Sequence, residues 1–551
     1  MTTTVLPLRV RLLAALCTVA LLAAGPLHPP ATARVQAQAA AAPPKLIVLL
    51  VVDQMRGDYL DWYGANFTAG FRRLTQDGAR FVRGAYPYLN TITCAGHATI
   101  GTGSFPYRHG MILNNWYDPK TGKSPYCTDD PEMTEISYNG LSSVQGDSAR
   151  LMLVPAIGEQ VMARGGRSVA FSLKPRSAVT LTGHKSTAVA WFDDRGGWTT
   201  STAFTKEPVP FLQKFITGNP ITADYDKVWE RSLPIDAYQG EDEVAGEGIV
   251  AGWTRSFPHP LGVPDRKPDS QFYGRWQRSP FADEYLARMA IAAIDSLQLG
   301  RGDKTDFLGV SFSSVDGAGH VFGPRSHEVQ DMLVRLDRTI GRLLEHLDKT
   351  VGAGNYVVGL SADHGVAEIP DTVGAGRVAS KVVTETLQKV LVEAMGPGTH
   401  VAATVYTNIY LTDAARQRLT EDKKLRDRVL HALRTIPGIK YSFWGPELAT
   451  ADARASRDQT RRAAALSHNA DRSGDLIIAP AERWILSTST TTHGTHYSYD
   501  QRVPVLLYGA GVKPGRYMNA ASPADLVPSL AAVAGVEIAP TDGRVLKEAL
   551  R

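Results

Sequence analysis

The sequence predicts an α/β protein built on a central, mostly parallel sheet flanked by helices and interrupted by loop-rich insertions. Three observations carry that expectation. Apolar, strand-like runs recur at 46–53, 307–316 and 356–363. Between the last two, Val329, Met332, Leu333, Leu336, Ile340, Leu343, Leu344 and Leu347 repeat at helical spacing, the mark of an amphipathic crossover helix. Strand, crossover helix and strand make a βαβ unit, whose strands run parallel.

Taken in chain order, the amino terminus comes first. Arg9 and Arg11 precede an apolar segment from Leu12 to Ala24, followed by an Ala-rich stretch with a cleavage-like Ala37-Gln38-Ala39. The segment falls short of the roughly 20 residues that span a bilayer, so 1–39 is expected to be a removed signal peptide and not a transmembrane anchor. Cys17 follows Leu16, where a lipid-attachment site would want a small residue. A single catalytic domain is expected over 40–551, with the strand of 46–53 opening its core.

The stretch 201–280 is rich in Pro, Gly, Trp and charge, as in the run Phe257 to Pro264, and is expected to be a loop-rich insertion over one face of the sheet. A helix over 283–297 follows, with Leu286, Met289, Ala290, Ala293, Ile294 and Leu297 on one face. The strand, helix and strand of 307–363 come next. A second excursion is expected at 378–477, with short strands such as 402–411, before core strands resume at 484–487 and 503–508.

Composition excludes little but helps. The 551-residue chain is 43% hydrophobic and 21% charged, with a net charge of +4. That is ordinary globular composition, and the scattered basic residues give no nucleic-acid-binding stripe. Beyond the leader the chain has Cys94 and Cys127, which suit either one disulfide or two buried thiols.

The strand-like runs end in Asp53, Asp316 and Asp363. Carboxylates gathered at the carboxyl edge of a buried sheet are costly without a counter-charge. Two of the runs continue into histidine, as Asp363-His364-Gly365 and as Asp316 followed by His320, and Thr491-Thr492-His493-Gly494 adds a third. Any one Asp could be a helix cap and any one His a loop residue, but the set matches a cation site. Oxygen mixed with imidazole nitrogen favours zinc, with manganese, cobalt or iron as alternatives. Six ligands suit two ions with positions left open for substrate.

Thr93-Cys94-Ala95-Gly96-His97, continuing to Gly103, together with Val52 to Arg56 and the Asp and His residues above, resembles the alkaline phosphatase superfamily, specifically the secreted bacterial enzymes with a threonine nucleophile. The resemblance spans nearly the whole mature chain. It implies an alkaline phosphatase-like fold, two Zn2+ ions, and hydrolysis of phosphate monoesters through a phosphothreonine on Thr93. It further implies that Asp53, Asp363 and His364 hold the zinc that binds Thr93, and that Asp316, His320 and His493 hold the zinc on the leaving-group side. His493 is preferred to His496 because it precedes Gly494. Asn114, Lys174 and Arg176 resemble the phosphate-binding residues of the monoesterase branch. An extended Lys-x-Arg segment would point both side chains the same way. Cys94 lacks the Cys-x-Pro-x-Arg context of the sulfatases. His97, Tyr107 and His109 receive no task, and an additional structural Ca2+ stays open.

The expected partners are small phosphate monoesters in the periplasm or outside the cell. The rivals are phosphodiester or nucleotide pyrophosphate hydrolysis on the same platform and, from another class, an inactive exported binding protein.

Overall fold

The computed structural model describes residues 42–551 apart from 141–144, 194 and 251; the expected signal segment lies outside the described residues. The strands of the main sheet are β1 (Leu46–Val52), β2 (Ala79–Gly84), β3 (Glu135–Ser137), β4 (Ser168–Ser172), β5 (Ala188–Asp193), β6 (Gly197–Ser201), β7 (Asp306–Phe312), β8 (Tyr356–Ser361), β9 (Val505–Gly509) and β10 (Gly515–Ala521). They form one ten-stranded sheet in the order β10-β2-β9-β8-β1-β7-β4-β5-β6-β3. Its heart, β8-β1-β7-β4-β5, is parallel throughout, as the βαβ reading requires. Antiparallel strands join on both sides.

The parallel heart is buried on both faces, which explains why its strands read as continuous apolar runs. Leu46, Val48, Leu50 and Val52 of β1 face one core, and Ile47, Leu49 and Val51 face the other. Six helices matter for the site: α1 (Thr93–Thr102), α2 (Pro175–Thr182), α3 (Ser270–Gln277), α4 (Pro280–Leu297), α5 (Ser314–Phe322) and α6 (His327–Thr350). Helices α4 and α6 pack on the first face, and α1 and α2 on the second.

Register brings the strand ends level. Val52 of β1 lies beside Phe312 of β7, and Val51 beside Ser361 of β8. The residues after these three strands therefore meet at one carboxyl edge, where ligands bind in open α/β sheets.

Three local expectations need correction. The run 307–316 is not one strand: β7 ends at Phe312, and Asp316 lies in the first turn of α5. Only Ile485 of 484–487 makes a bridge, to Arg377. The apolar character there arises because Trp484 and Leu486 cover a smaller sheet rather than the core. The Lys174 to Arg176 segment is not extended, since Lys174 caps α2 and Pro175 starts it, a position for which proline is preformed.

The stretch 201–280 contains the helix Pro210–Gly218, a two-stranded pair and α3. It is fastened to the amino end of α6: Trp229 Nε1 donates to Asp331 Oδ2 at 2.7 Å, and His259 Nε2 lies 2.8 Å from Glu328 Oε1. The later excursion contains a four-stranded antiparallel sheet from Val401–Val405, Asn408–Leu411, Ile439–Trp444 and Leu476–Pro480. Helices pack on it through their own apolar cluster, which includes Leu387, Val429, Leu433 and Ile478.

Candidate active site

The carboxyl edge gathers Asp53, Asp316, Asp363, His320, His364 and His493. Asp53 and Asp363 are fully buried, and so is His364. Asp316, His320 and His493 form one group whose ligand atoms lie within 4.8 Å of one another, and Asp53, Asp316 and His364 form another. The two groups share Asp316 and adjoin, with the rings of His364 and His493 stacked 3.3 Å apart.

The histidines are all oriented alike. His320 Nδ1 lies 3.0 Å from Thr491 O, His364 Nδ1 lies 2.9 Å from Gly365 O, and His493 Nδ1 lies 2.9 Å from Thr91 O. A carbonyl oxygen can only accept, so Nδ1 carries the proton and Nε2 is left with its lone pair. Each Nε2 faces carboxylate: His320 is 3.1 Å from Asp316 Oδ1, His364 is 3.1 Å from Asp363 Oδ2, and His493 is 3.8 Å from Asp316 Oδ1.

The carboxylates carry the complementary sign of a cation site. Asp53 Oδ1 and Asp363 Oδ2 are buried and receive no hydrogen bond, a cost that a metal ion would remove. Burial, with the neighbouring charges of Asp316 and Asp363, pushes Asp53 up to about 7, outweighing Lys174 at 2.5 Å. Burial would also raise Asp316 and Asp363. Lys174 and His320 hold Asp316 well below the ordinary range, and His364 and His97 do the same for Asp363. His364 is raised to about 9: burial lowers it, but Asp363, with Asp53 and Asp316, more than compensates, so its Nε2 lone pair becomes available when a cation takes the place of that proton. Donor type, orientation and orphaned oxygens all fit divalent metal.

Thr93 opens α1 beside this cluster. Its Oγ1 lies 3.3 Å from His364 Nε2, and Ile92 in extended conformation is the cap, so the hydroxyl sits at the positive end of the helix. Glycine makes the approach close. A Cβ on Gly96 would lie 2.1 Å from Asp363 O, and one on Gly101 would lie 2.3 Å from Thr180 O of α2. Helix α1 thus touches both the Asp363-His364 loop and the helix begun by Lys174.

Asn114 Oδ1 accepts from Cys94 N at 2.9 Å, which places the amide next to Thr93. The disulfide Cys94–Cys127 ties the same region together, resolving the choice the sequence left open. Lys174 Nζ bridges Asp53 Oδ2 at 2.5 Å and Asp316 Oδ2 at 2.6 Å. Arg176 Nε is buried without a hydrogen-bond partner.

Other sequence candidates sort themselves by contact. His496 packs against Tyr441 and Tyr497, away from the cluster. His109 lies in a buried turn, bonded to Thr99 and Met111 N, and Tyr107 donates to Asp542. His97 has both nitrogens engaged: Nδ1 lies 2.9 Å from Thr93 O and 3.2 Å from Asp363 Oδ2, and Nε2 lies 2.7 Å from Ser311 Oγ. It positions Thr93 and Asp363 rather than offering a free lone pair. Sequence reasoning missed Gln54, whose amide Nε2 donates to Asp316 Oδ1 at 2.7 Å and whose N–H donates to Asp363 Oδ1 at 3.1 Å. Its left-handed backbone (φ 67°) aims both donors, a conformation that glutamine rarely signals.

Residues 47–500 match the family model described as type I phosphodiesterase / nucleotide pyrophosphatase. Alkaline phosphatase PafA of Elizabethkingia meningoseptica is 33% identical over 90% of this chain and 92% of its own. Alkaline phosphatase PhoV of Synechococcus elongatus is 31% identical over 90% of each chain. A crystal structure of wild-type PafA superposes with a TM-score of 0.83, at 32% identity, covering 93% of this chain and all of that one.

Proposed function

The chain belongs to the type I phosphodiesterase / nucleotide pyrophosphatase family, within the alkaline phosphatase superfamily, and from that premise we propose that it is a metal-dependent alkaline phosphatase hydrolysing phosphate monoesters through a phosphothreonine. The observation that carries the reading is Thr93: a helix-opening hydroxyl set beside a buried Asp and His cluster whose Nε2 lone pairs are all turned inward.

Zinc suits the donor set: Asp53, Asp363 and His364 would hold one ion and Asp316, His320 and His493 another, supplying Lewis acidity to the attacking and leaving oxygens. Thr93 Oγ1 is the nucleophile and takes the phosphoryl group, helped by the partial positive charge at the start of α1. His97 fixes that first turn through Thr93 O. Gln54 orients the carboxylates of Asp316 and Asp363. Asn114 has its oxygen committed to Cys94 N, so its amino group is the part that can donate to a phosphoryl oxygen. Arg176 and Lys174 add charge-assisted contacts to the two oxygens that distinguish a monoester dianion; Lys174 does so by turning from Asp53 and Asp316 toward the substrate.

Diester hydrolysis is the rival suggested by the family description. The cationic pair argues against it, because a diester carries an alkoxy group where those charges would sit, and relatives matched over nine-tenths of the chain are named alkaline phosphatases. Catalytic silence is disfavoured by the complete donor set. The basic-then-apolar leader and the Cys94–Cys127 disulfide support export to an oxidising compartment. Among the described residues no helix is long and apolar enough to cross a membrane.

The deciding experiment compares metal-replete protein on an aryl phosphate, the matching diaryl phosphate and the aryl sulfate. Monoester turnover should dominate. Faster diester cleavage would install the rival, and bound metal with no turnover would install the binding protein.

A further inference from the structure

A cation lies on the leaving-group side of the site without a task in the chemistry above. Arg278 follows α3 in the insertion and lines a cavity of about 410 Å³ together with Lys174, Asp316, Gly317 and His320. Its approach to the cluster depends on a missing side chain. A Cβ on Gly317 would lie 3.0 Å from Arg278 Cγ, so the stem of the arginine lies across the residue next to Asp316. The insertion thereby delivers a guanidinium to the mouth of the same pocket.

Its local bonding leaves most of its donors uncommitted. Nη1 donates to Gly274 O at 2.8 Å, a capping contact at the end of α3. A guanidinium has five N–H donors, and no carboxylate among the described residues pairs with this one. Lys174, on the same cavity, is by contrast neutralised by Asp53 and Asp316. The uncompensated charge of the cavity therefore sits at Arg278, flanked by Ser270 and Gln277. A cap uses only one N–H of the guanidinium, whereas its planar fork matches an oxyanion with two.

We propose that Arg278 receives a second anionic group on the leaving alcohol, so that preferred substrates are phosphate monoesters whose alcohol also bears a phosphate or a carboxylate. The proposal rests on the phosphatase reading and on Asp316, His320 and His493 marking the leaving-group side.

Two substrate pairs test it on the metal-replete full-length enzyme. The first is 4-carboxyphenyl phosphate against 4-carbamoylphenyl phosphate, alike in shape and different in charge. The second is propane-1,3-diyl bisphosphate against 3-hydroxypropyl phosphate. Within each pair the kcat/KM ratio is measured for wild type, Arg278→Ala and Arg278→Lys; a ratio is insensitive to the folded fraction of a variant. Wild type should prefer the anionic member by about tenfold or more, and added salt should shrink the preference. Arg278→Ala should bring the ratio to about one, with Arg278→Lys between. Preference in one pair alone supports the proposal and identifies the anion. A wild-type ratio near one in both pairs, or a ratio that survives Arg278→Ala, overturns it and leaves Arg278 a helix cap. Absence of turnover on every monoester would instead overturn the phosphatase reading.

Discussion

Thr93 and the cations around it can be separated by what each loses. Thr93→Ala removes the oxygen proposed to take the phosphoryl group but none of the six Asp and His side chains. Elemental analysis should therefore find the metals retained, while kcat/KM on an aryl phosphate falls by about three orders of magnitude or more. Activity that survived largely intact would assign the nucleophile elsewhere. Lys174 and Arg176 are expected to act on charge that only the monoester has. Replacing both with Ala should cost monoester kcat/KM far more than diester kcat/KM, and equal losses would show that they only shape the pocket. At this scale the sequence was informative where a residue's type states its chemistry. Asp53, Asp363, His364, Asp316, His320 and His493 all lie at the carboxyl edge, in groups that could hold a metal ion. Gln54 and His97 were illegible because their roles are defined by partners 262 and 214 residues away, Asp316 and Ser311.

Helix α1 is held at its working position by glycine contacts with backbone, which cannot yield as a flexible side chain would. A methyl at Gly96 would meet Asp363 O at 2.1 Å and force the helix from the loop that carries two proposed ligands. Gly96→Ala should destabilise the protein by roughly 1–3 kcal/mol and lower kcat/KM more than Gly64→Ala, whose Cβ meets nothing within 4 Å. Urea unfolding alongside kinetics checks both, and a silent Gly96→Ala would show that the helix can shift freely. The junction between the insertion and α6 makes a second prediction. Burial pushes Glu328 up to about 8, against its partner His259, which burial lowers to about 4; Asp242, Arg231 and the similarly raised Glu247 surround the pair. Between pH 6.5 and 8 the unfolded chain has already released the Glu328 proton while the folded chain keeps it. The folded state then binds more protons, and stability must fall as pH rises through that window. Glu328→Gln should remove up to about 1.4 kcal/mol per pH unit from the slope; an unchanged slope would mean that Glu328 is ionised in the fold.

Across the whole molecule, legibility followed periodicity. The parallel heart was readable because strands buried on both faces must be apolar at every position, and α6 because a long helix with one buried face repeats visibly. The four-stranded sheet within 401–480 was readable only as short strands such as 402–411, since its apolar residues are divided among a small core, a satellite cluster and the main core. Asp316 was read at a strand end because β7 passes into α5 through the single residue Ser313, whose amide, with that of Ser314, is taken by the buried Asp283. That convergence of distant elements gives the last prediction. Asp53 follows β1, Asp363 follows β8 and Asp316 belongs to α5, so the proposed ions would clamp three segments far apart in the chain. An ion present at a thousandfold its Kd stabilises the native state by about 4 kcal/mol. Chelation should therefore lower the thermal midpoint as well as activity, and zinc should restore both. Asp53→Asn, with one proposed ligand weakened, should start from a lower midpoint and lose less on chelation. A midpoint indifferent to chelator, in protein whose metal content has fallen, would show that the carboxyl edge is held by Lys174 and the histidines alone.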